Sequence, residues 1–351
     1  MLVVDAHLDF GLNALFYGRD LKQPVAEIRR WEQYMLGKSR GRNTVGFPDM
    51  RRGEVFLSFS TILARHAAGL RSNIDFPPEA AFAAAHAQLI YYSQLEDQGI
   101  LRRIRTRADL DDHLAAWQAA PAAAPLGHVL SMEGADPILH PDQVFDWRAQ
   151  GLHSLSLAHY GVSAYAHGTN TVGGVFPPAR ELLANMARLG MLLDLTHTSD
   201  EAFWEELELY PGRVIASHNN CRTLVPRQRQ FSDDMLRALI ERDAVIGAAF
   251  DAWMLDPDWN KDDPTPERVS LGHVVDHIDH ICQLAGNARH VGLGTDLDGG
   301  YGREQSPGDL DTIADLQNIP GLLRARGYSE ADIEGIMHGN WLRLLRETLP
   351  V

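Results

Sequence analysis

The chain has 351 residues, of which 45% are hydrophobic and 23% charged, and this is the composition of an ordinary globular protein. Its formal net charge of -15 would repel a phosphate backbone, and no basic stripe interleaved with aromatic residues is present, so nucleic acid is not expected as a partner. The two cysteines, Cys221 and Cys282, lack CxxC spacing and are expected as free thiols, with a single bridge as the alternative.

Targeting segments are not evident in the sequence. The N-terminus runs directly into a strand-like segment, without the basic and long apolar regions of a signal peptide, and no apolar run approaches twenty residues. We therefore expect a soluble protein of the cytoplasm with no membrane partner.

Eight short apolar segments, several of them rich in β-branched residues, are predicted as strands. In chain order they occupy 2–7, 55–60, 128–133, 153–159, 191–197, 214–217, 244–250 and 290–296. Helical patterns lie between them at 77–99, 178–190, 231–243 and 273–286. Strands that alternate with helices and are apolar throughout are typical of parallel strands buried on both faces.

Eight such units predict an α/β fold of the (β/α)8 (TIM) barrel type, as in metal-dependent hydrolases, with one domain over residues 1–351 and small insertions. A doubly wound open sheet is the alternative. It is less favoured because no GxGxxG motif opens a helix after the first predicted strand.

Metal-binding and acid-base residue types end most of the predicted strands. His7 ends the first, and Asp9 follows two residues later, so both side chains project from the same face. Because the carboxyl ends of barrel strands meet at one mouth, we expect a single cluster there. Its other members are Glu133, His159, His197, His218 and Asp296.

Imidazole and carboxylate ligands suit a borderline divalent ion such as zinc, and a carboxylate can bridge two such ions. A water shared by two ions and a polarised carbonyl group would lead to hydrolysis. No lysine lies in a predicted strand, so a carbamylated lysine is not expected as the bridge, and Glu133 is the best-placed carboxylate. A single histidine at the end of a strand is more often an ordinary polar residue than a metal ligand.

A second histidine cluster lies on one face of the helix predicted over 273–286. His273, His277 and His280 are spaced i, i+4 and i+7, which is compatible with a metal site, but no HExxH glutamate lies between them. We expect this stripe to be structural.

Eight motifs in the same order, spread over nearly the whole chain, carry a resemblance to a known family. They are DAHLD, SMEGAD, LSLAHY, LDLTHTS, IASHNN, RQFSDDML, GLGTDLDGG and HGNWLRLL. Together they resemble the membrane dipeptidase (renal dipeptidase) family of zinc peptidases, and its soluble bacterial members most of all. The resemblance implies two Zn2+ ions per chain, one held by His7, Asp9 and Glu133, and the other by Glu133, His197 and His218.

The resemblance also implies roles for residues around the ions. His159 would bind the substrate carbonyl group, Arg229 the substrate carboxylate, and Asp296 would act as the acid-base residue. Arg227 is the alternative to Arg229, and Asp298 is the alternative to Asp296. These roles are chemically reasonable, since a guanidinium holds a carboxylate through two parallel hydrogen bonds.

The activity implied by the resemblance is that of a binuclear zinc dipeptidase. A metal-bridging hydroxide would attack small dipeptides, including L,D-dipeptides, and a homodimer is compatible with the family. Two alternatives stay open at this point. One is a metal-dependent amidohydrolase acting on another small carboxylate-bearing amide or lactone, and the other is a metal-dependent binding protein without catalysis.

Overall fold

The computed structural model describes residues 1–66, 74–262 and 264–351. Its strands are, in chain order, β1 Val3–Leu8, β2 Val55–Ile62, β3 Arg65–His66, β4 Asp75–Phe76, β5 Leu101–Arg103, β6 Leu126–Met132, β7 Leu152–Leu155, β8 Leu192–Asp194, β9 Val214–Ile215, β10 Ile246–Ala248 and β11 Val291–Leu293. All eight predicted strands are among them. The sequence did not predict β3 and β4, which pair with each other, or β5, which pairs with the first three residues of β6.

The eight predicted strands form a parallel barrel in the order β10-β11-β1-β2-β6-β7-β8-β9. Ala216, directly after β9, pairs in parallel with Ile246 of β10 and closes the ring, and Gly247 donates its backbone N–H to the Ala216 carbonyl oxygen at 2.8 Å. The predicted (β/α)8 barrel is therefore confirmed, and the open doubly wound sheet is wrong. The single domain over 1–351 stays a prediction.

The helices surround the barrel, and all four predicted ones are present with their ends moved by one or two residues. In chain order they are α1 Phe10–Phe16, α2 Val25–Glu32, α3 Phe47–Arg52, α4 Pro78–Asp97, α5 Arg107–Ala119, α6 Gln143–Ala149, α7 Pro177–Arg188, α8 Asp200–Leu209, α9 Asp233–Glu241, α10 Ala252–Leu255, α11 Leu271–Ala285, α12 Ile319–Ala325, α13 Glu330–Glu334 and α14 Asn340–Thr348. Short 3-10 helices occupy Pro266–Arg268, Arg303–Gln305 and Ile313–Asn318, and a π-helix occupies Gly335–Gly339. Among the described residues, no helix combines the length and the apolar character needed to cross a bilayer.

Several strands end earlier than predicted, so most candidate site residues lie in the loops just after them. His159 is four residues beyond β7, and His197 is three beyond β8. The cause is visible at β8, where the Asp194 carboxylate accepts the backbone N–H groups of Thr196 at 3.0 Å and Ser217 at 2.9 Å. A side chain thus replaces the next strand-to-strand hydrogen bond, and the chain is free to turn.

Two glycines allow a very close approach of backbone at the closing seam of the barrel. A Cβ atom on Gly247 would lie 1.9 Å from the Ser217 carbonyl oxygen, and one on Gly294 would lie 1.7 Å from the same atom. Neither position can accept a side chain without moving the segment that leads into His218. The seam therefore depends on the absence of side chains at both positions.

We expect Gly294→Ala to lower the free energy of unfolding by about 2 kcal/mol or more, because the new methyl group overlaps the Ser217 carbonyl oxygen. Urea unfolding followed by circular dichroism measures the change. Gly321→Ala is the matched control, since Gly321 lies in α12 with no atom within 4 Å of a new Cβ. It should gain about 0.5 kcal/mol. Equal stability of Gly294→Ala and the unmodified protein would contradict the account of the seam.

Candidate metal centre

Glu133 lies at the centre of the barrel mouth, directly after β6, and is 6% exposed. Its Oε1 atom is 3.1 Å from Nε2 of His197 and 3.3 Å from Nε2 of His218. The two Nε2 atoms are themselves 3.1 Å apart. Tetrahedral zinc with its usual bond lengths separates neighbouring ligand atoms by about 3.3 Å, so this triangle has the dimensions of three ligands around one ion.

The other oxygen of Glu133 faces a second group of side chains. Oε2 is 3.7 Å from Nε2 of His7, and the same nitrogen is 3.6 Å from Oδ2 of Asp9 and 3.9 Å from Oδ1 of Asp296. Glu133 therefore presents one oxygen to each of two adjacent clusters. This is the geometry that a bridging carboxylate requires.

The polar atoms of this mouth test whether a metal ion fits. Nε2 of His7 and Oδ1 of Asp9 are buried and have no hydrogen-bond partner among the residues that the structure describes. A buried polar atom without a partner is costly, and both atoms can offer a lone pair to a cation once His7 is neutral. The residues present fit a divalent ion.

Hydroxyl groups orient the three imidazoles whose Nε2 atoms face Glu133. In each of them Nδ1, on the far side of the ring, lies near a buried hydroxyl, which leaves Nε2 directed to the centre. The pairs are His7 with Thr61 at 3.4 Å, His197 with Thr169 at 2.9 Å and His218 with Ser217 at 2.9 Å. Sequence analysis did not identify Thr61 or Thr169, which carry no motif of their own.

Burial and close packing of charge shift the pKa values of the cluster. Burial raises the pKa of Glu133 to about 7, and it raises the pKa of Asp296 well above its usual range. Burial alone would lower the pKa of His7, but the carboxylates of Glu133, Asp9 and Asp296 outweigh it and raise the value to about 10. Without an ion, a proton on His7 therefore offsets part of the negative charge, and a divalent ion would replace it.

Backbone strain is present at two residues of the cluster. His197 has φ of 69° and Asp296 has φ of 59°, which is the left-handed region that residues with a side chain seldom adopt. Such conformations persist when surrounding contacts hold them, and they are concentrated at functional sites. Both residues are thus kept at the mouth at a cost to stability.

The structure separates the two aspartates between which the sequence leaves a choice. Asp296 lines the mouth, whereas Asp298 is 1% exposed and accepts hydrogen bonds from the backbone of Thr44 at 2.7 Å and Val45 at 3.0 Å. Asp298 therefore anchors the loop before α3. Asp5 has a similar task, since its carboxylate accepts the backbone N–H groups of His7 and Thr295.

The two candidate arginines are also separated. Arg229 lines the mouth, is 3% exposed, and donates to the His218 carbonyl oxygen at 2.9 Å. Arg227 turns away and donates to the carbonyl oxygens of Trp253 at 3.0 Å and Pro257 at 2.9 Å. Arg229 is consequently the arginine that a molecule in the mouth would meet.

His159 lies beside the cluster, with Nε2 3.8 Å from Oε2 of Glu133. On the other side of its ring, Arg65 directs a guanidinium N–H at Nδ1 over 3.3 Å, and Arg65 is itself held by Asp75 at 2.8 Å. Sequence analysis missed Arg65, because nothing in its surroundings along the chain marks it. Burial, together with the charge of Arg65, lowers the pKa of His159 well below its usual value.

The histidine stripe of α11 and the cysteines stand apart from the mouth. His273 contacts the N-cap of its own helix, and the other two histidines contact neighbouring segments. His273 lies 3.2 Å from the Ser270 hydroxyl, His277 accepts the Cys221 N–H at 3.1 Å, and His280 lies 2.8 Å from Asp233. These contacts agree with a structural stripe. Cys221 and Cys282 are both buried and free.

A cavity of about 190 Å3 opens above Glu133. Asp9, His159, His197, Arg229 and Asp296 form part of its wall, and Tyr160, Tyr301, Met254 and Asp251 contribute further surface. Candidate metal ligands, the further carboxylate of Asp296 and a guanidinium thus surround one small volume. A molecule of a few residues or less would contact all of them.

Curated proteins of similar sequence include two that match about half of this chain. Dipeptidase tcpJ of Claviceps purpurea is 32% identical over 201 residues, or 56% of this chain and 45% of that protein. An uncharacterized protein in the pqqA 5' region of Klebsiella pneumoniae is 31% identical over 187 residues, or 53% of this chain and 66% of that protein. The matched region thus spans about half to two thirds of the length of these relatives.

Solved structures match over the full chain. The crystal structure of dipeptidase AC, a metallopeptidase, has a TM-score of 0.81 at 24% identity and covers 100% of this chain and 99% of its own. A metallopeptidase from Rhodobacter sphaeroides, liganded with a phosphinate mimic of L-Ala-D-Ala, has a TM-score of 0.79 at 24% identity over 99% of each chain. At this identity the two structures establish the fold.

A family model identifies the protein family of the chain, which these pairwise matches do not establish. The model for membrane dipeptidases matches residues 1–350 without interruption. All the motifs singled out above lie within the match. The protein therefore belongs to the membrane dipeptidase family, peptidase family M19.

Proposed function

We propose that this protein is a dipeptidase that binds two divalent metal ions, with zinc as the ion that its ligands suit best. The observation that carries the proposal is the position of Glu133, with Oε1 3.1 Å from His197 and Oε2 3.7 Å from His7. A carboxylate between two groups of imidazole and carboxylate ligands suits a two-ion centre. The cytoplasmic location and the homodimer stay predictions.

The ligands in this proposal form two sets that share one residue. His7, Asp9 and Glu133 would hold one ion, and Glu133, His197 and His218 would hold the other. Three nitrogen and two carboxylate donors match the preference of zinc for mixed imidazole and carboxylate sites. When bound, such ions lower the pKa of a coordinated water and polarise the carbonyl group of the substrate.

Asp296 is the acid-base residue in this proposal. Its carboxylate lies 3.9 Å from Nε2 of His7 and lines the cavity, so it could exchange a proton with a water held between the proposed metal ligands and the substrate. Burial raises its pKa well above the ordinary value, which favours holding a proton and later returning it to the departing amine. Asp296 is preferred to Asp298 for this role, because the carboxylate of Asp298 already accepts hydrogen bonds from the loop before α3.

Arg229 would hold the free carboxylate of the dipeptide. Its two terminal nitrogens donate to Asn219 and to the His218 carbonyl oxygen, which fixes the guanidinium plane. The remaining N–H groups can pair with a carboxylate. L,D-dipeptides are proposed as substrates by analogy with the Rhodobacter sphaeroides metallopeptidase, whose structure contains a mimic of L-Ala-D-Ala.

His159 is proposed to donate a hydrogen bond to the oxygen of the scissile carbonyl group. A guanidinium has donors only, so its contact with Nδ1, which it shares with the Tyr160 carbonyl oxygen, favours a lone pair on Nδ1 and the proton of the neutral ring on Nε2. That proton points to the centre of the mouth, where the carbonyl oxygen becomes negative in the tetrahedral intermediate. Arg65 is then a positioning residue for His159.

We expect the purified, zinc-loaded protein to contain about two metal ions per chain and to hydrolyse L-Ala-D-Ala. Glu133→Gln should reduce the metal content to about one ion or fewer and lower kcat/KM by at least about a hundredfold, because the shared oxygen pair is lost. Elemental analysis and a ninhydrin-type assay measure both effects.

Glu208→Gln, at an exposed position of α8, is the matched control and should change neither the metal content nor the rate. A protein that holds two ions and hydrolyses no dipeptide of a broad panel would overturn the dipeptidase proposal. In that case carboxylate-bearing amides and lactones are the next substrates to assay.

We expect Arg65→Met to lower kcat about tenfold with little change in KM, because Nε2 of His159 loses the constraint that keeps its proton directed to the substrate. In a His159→Ala background the same change should have no further effect on kcat, as in a double-mutant cycle between coupled residues. Arg237→Met, at an exposed position of α9, is the control for loss of an arginine. Additive effects of Arg65→Met and His159→Ala would show that Arg65 acts elsewhere.

A further inference from the structure

Lysines are rare in this protein, and two of the three lie at the cavity above Glu133. The chain contains only Lys22, Lys38 and Lys261. Lys38, between α2 and α3, and Lys261, after α10, both line the cavity, although they come from distant parts of the chain. A chain with 47 acidic residues thus places two scarce ammonium groups at the mouth of its candidate site.

Among the described residues, neither ammonium group forms a close ion pair with a carboxylate. Lys22 lies 3.9 Å from Asp20, but within the described residues no carboxylate lies within 4.0 Å of the Lys38 or Lys261 nitrogen. Lys38 lies 5.9 Å from the centre of the Tyr301 ring, which also lines the cavity. Both positive charges are consequently available to a molecule that enters the mouth.

The side chain of Lys261 is held in place by an aromatic ring. Its Nζ atom lies 3.9 Å from the centre of the Trp253 ring, on which Arg227 also packs at 4.7 Å. Arg227 in turn donates to the Trp253 carbonyl oxygen, so the ring and its loop are tied together. A cation that rests on a fixed ring loses less conformational freedom when it binds an anion.

Charges of both signs act on Lys261. Partial burial lowers its pKa, the charge of Asp251 raises it, and the charges of Lys38, Arg227 and Arg229 lower it again. Asp251 already accepts hydrogen bonds from the Trp253 N–H at 2.8 Å and the Gln305 side chain at 2.7 Å. An anion placed near the two lysines would relieve this repulsion.

We propose that Lys38 and Lys261 form a subsite for a second carboxylate, so that the preferred substrates are dipeptides with an acidic side chain on the C-terminal residue. The inference rests on the proposed dipeptidase function. Arg229, assigned above to the α-carboxylate, lines the same cavity and is among the charges that act on Lys261. A side-chain carboxylate of that same residue is therefore the group best placed to reach the two lysines.

The test compares L-Ala-D-Glu with L-Ala-D-Gln, which have the same shape and differ in one charge. We expect kcat/KM for the acidic dipeptide to be about tenfold higher, and this ratio should fall toward one at high salt. The double variant Lys38→Met/Lys261→Met should bring the ratio to about one at low salt. Lys261→Arg should retain the preference, and Lys22→Met, outside the cavity, should leave it unchanged.

A ratio near one in the unmodified protein would overturn the subsite and leave the dipeptidase function intact. The same would follow if the double variant kept the ratio of the unmodified protein. A preference for L-Glu-D-Ala over L-Gln-D-Ala, without one for D-Glu, would overturn its assignment to the C-terminal residue. If no dipeptide is hydrolysed, the dipeptidase function fails, and calorimetric binding of L-Ala-D-Glu and L-Ala-D-Gln decides the subsite. Tighter binding of the acidic dipeptide, lost in the double variant, would support it, and equal binding would overturn it.

Discussion

The mouth of this barrel depends on one buried carboxylate, Glu133, which faces imidazole nitrogens on both sides. Its oxygens lie 3.1 Å from Nε2 of His197 and 3.7 Å from Nε2 of His7. Confining several acidic groups and imidazoles in so small a volume is unfavourable unless a positive charge is shared among them. The pKa values of Glu133 and His7 are raised for this reason: burial disfavours the charged form of Glu133, and the neighbouring carboxylates favour a proton on His7.

The surrounding shell is built to keep this arrangement rigid. Hydroxyl groups of Thr61, Thr169 and Ser217 hold the far sides of three imidazoles. His197 accepts a left-handed backbone to bring its ring to the centre. The precision of the mouth thus depends on residues that would contact neither an ion nor a substrate, and preorganisation of this kind is what a catalytic site requires.

The sequence predicts correctly those features that a local residue pattern marks. It also predicts which distant residues the closed barrel brings together. Continuous apolar runs identify the eight strands, and barrel closure then brings His7 and His218 together although they are far apart in the chain. Sequence reasoning failed where a contact depends on a loop with no periodicity. Arg65 contacts His159 from β3, where it is paired with Asp75 of β4, and neither of these two strands was predicted.

The same limit applies to choices between neighbouring residues. Asp296 and Asp298 are indistinguishable by spacing, and they differ because Thr44 and Val45 occupy the carboxylate of Asp298. Strand ends were overestimated for a related reason. Side-chain carboxylates such as that of Asp194 accept backbone N–H groups and so end the pairing between strands. The hydrophobic pattern of the sequence does not show where this happens.

The short pairing that closes the barrel between β9 and β10 has a consequence for thermal inactivation. The described strand β9 has two residues. The ring is completed by the segment that contains Ser217 and His218, where Ala216 pairs with Ile246 and three backbone hydrogen bonds join Ala216 and Asn219 to Val245 and Gly247. Local opening is easiest where the fewest hydrogen bonds must break together. Thermal inactivation is therefore expected to begin where β9 meets β10. It should displace the imidazole of His218 while the remainder of the molecule is still folded.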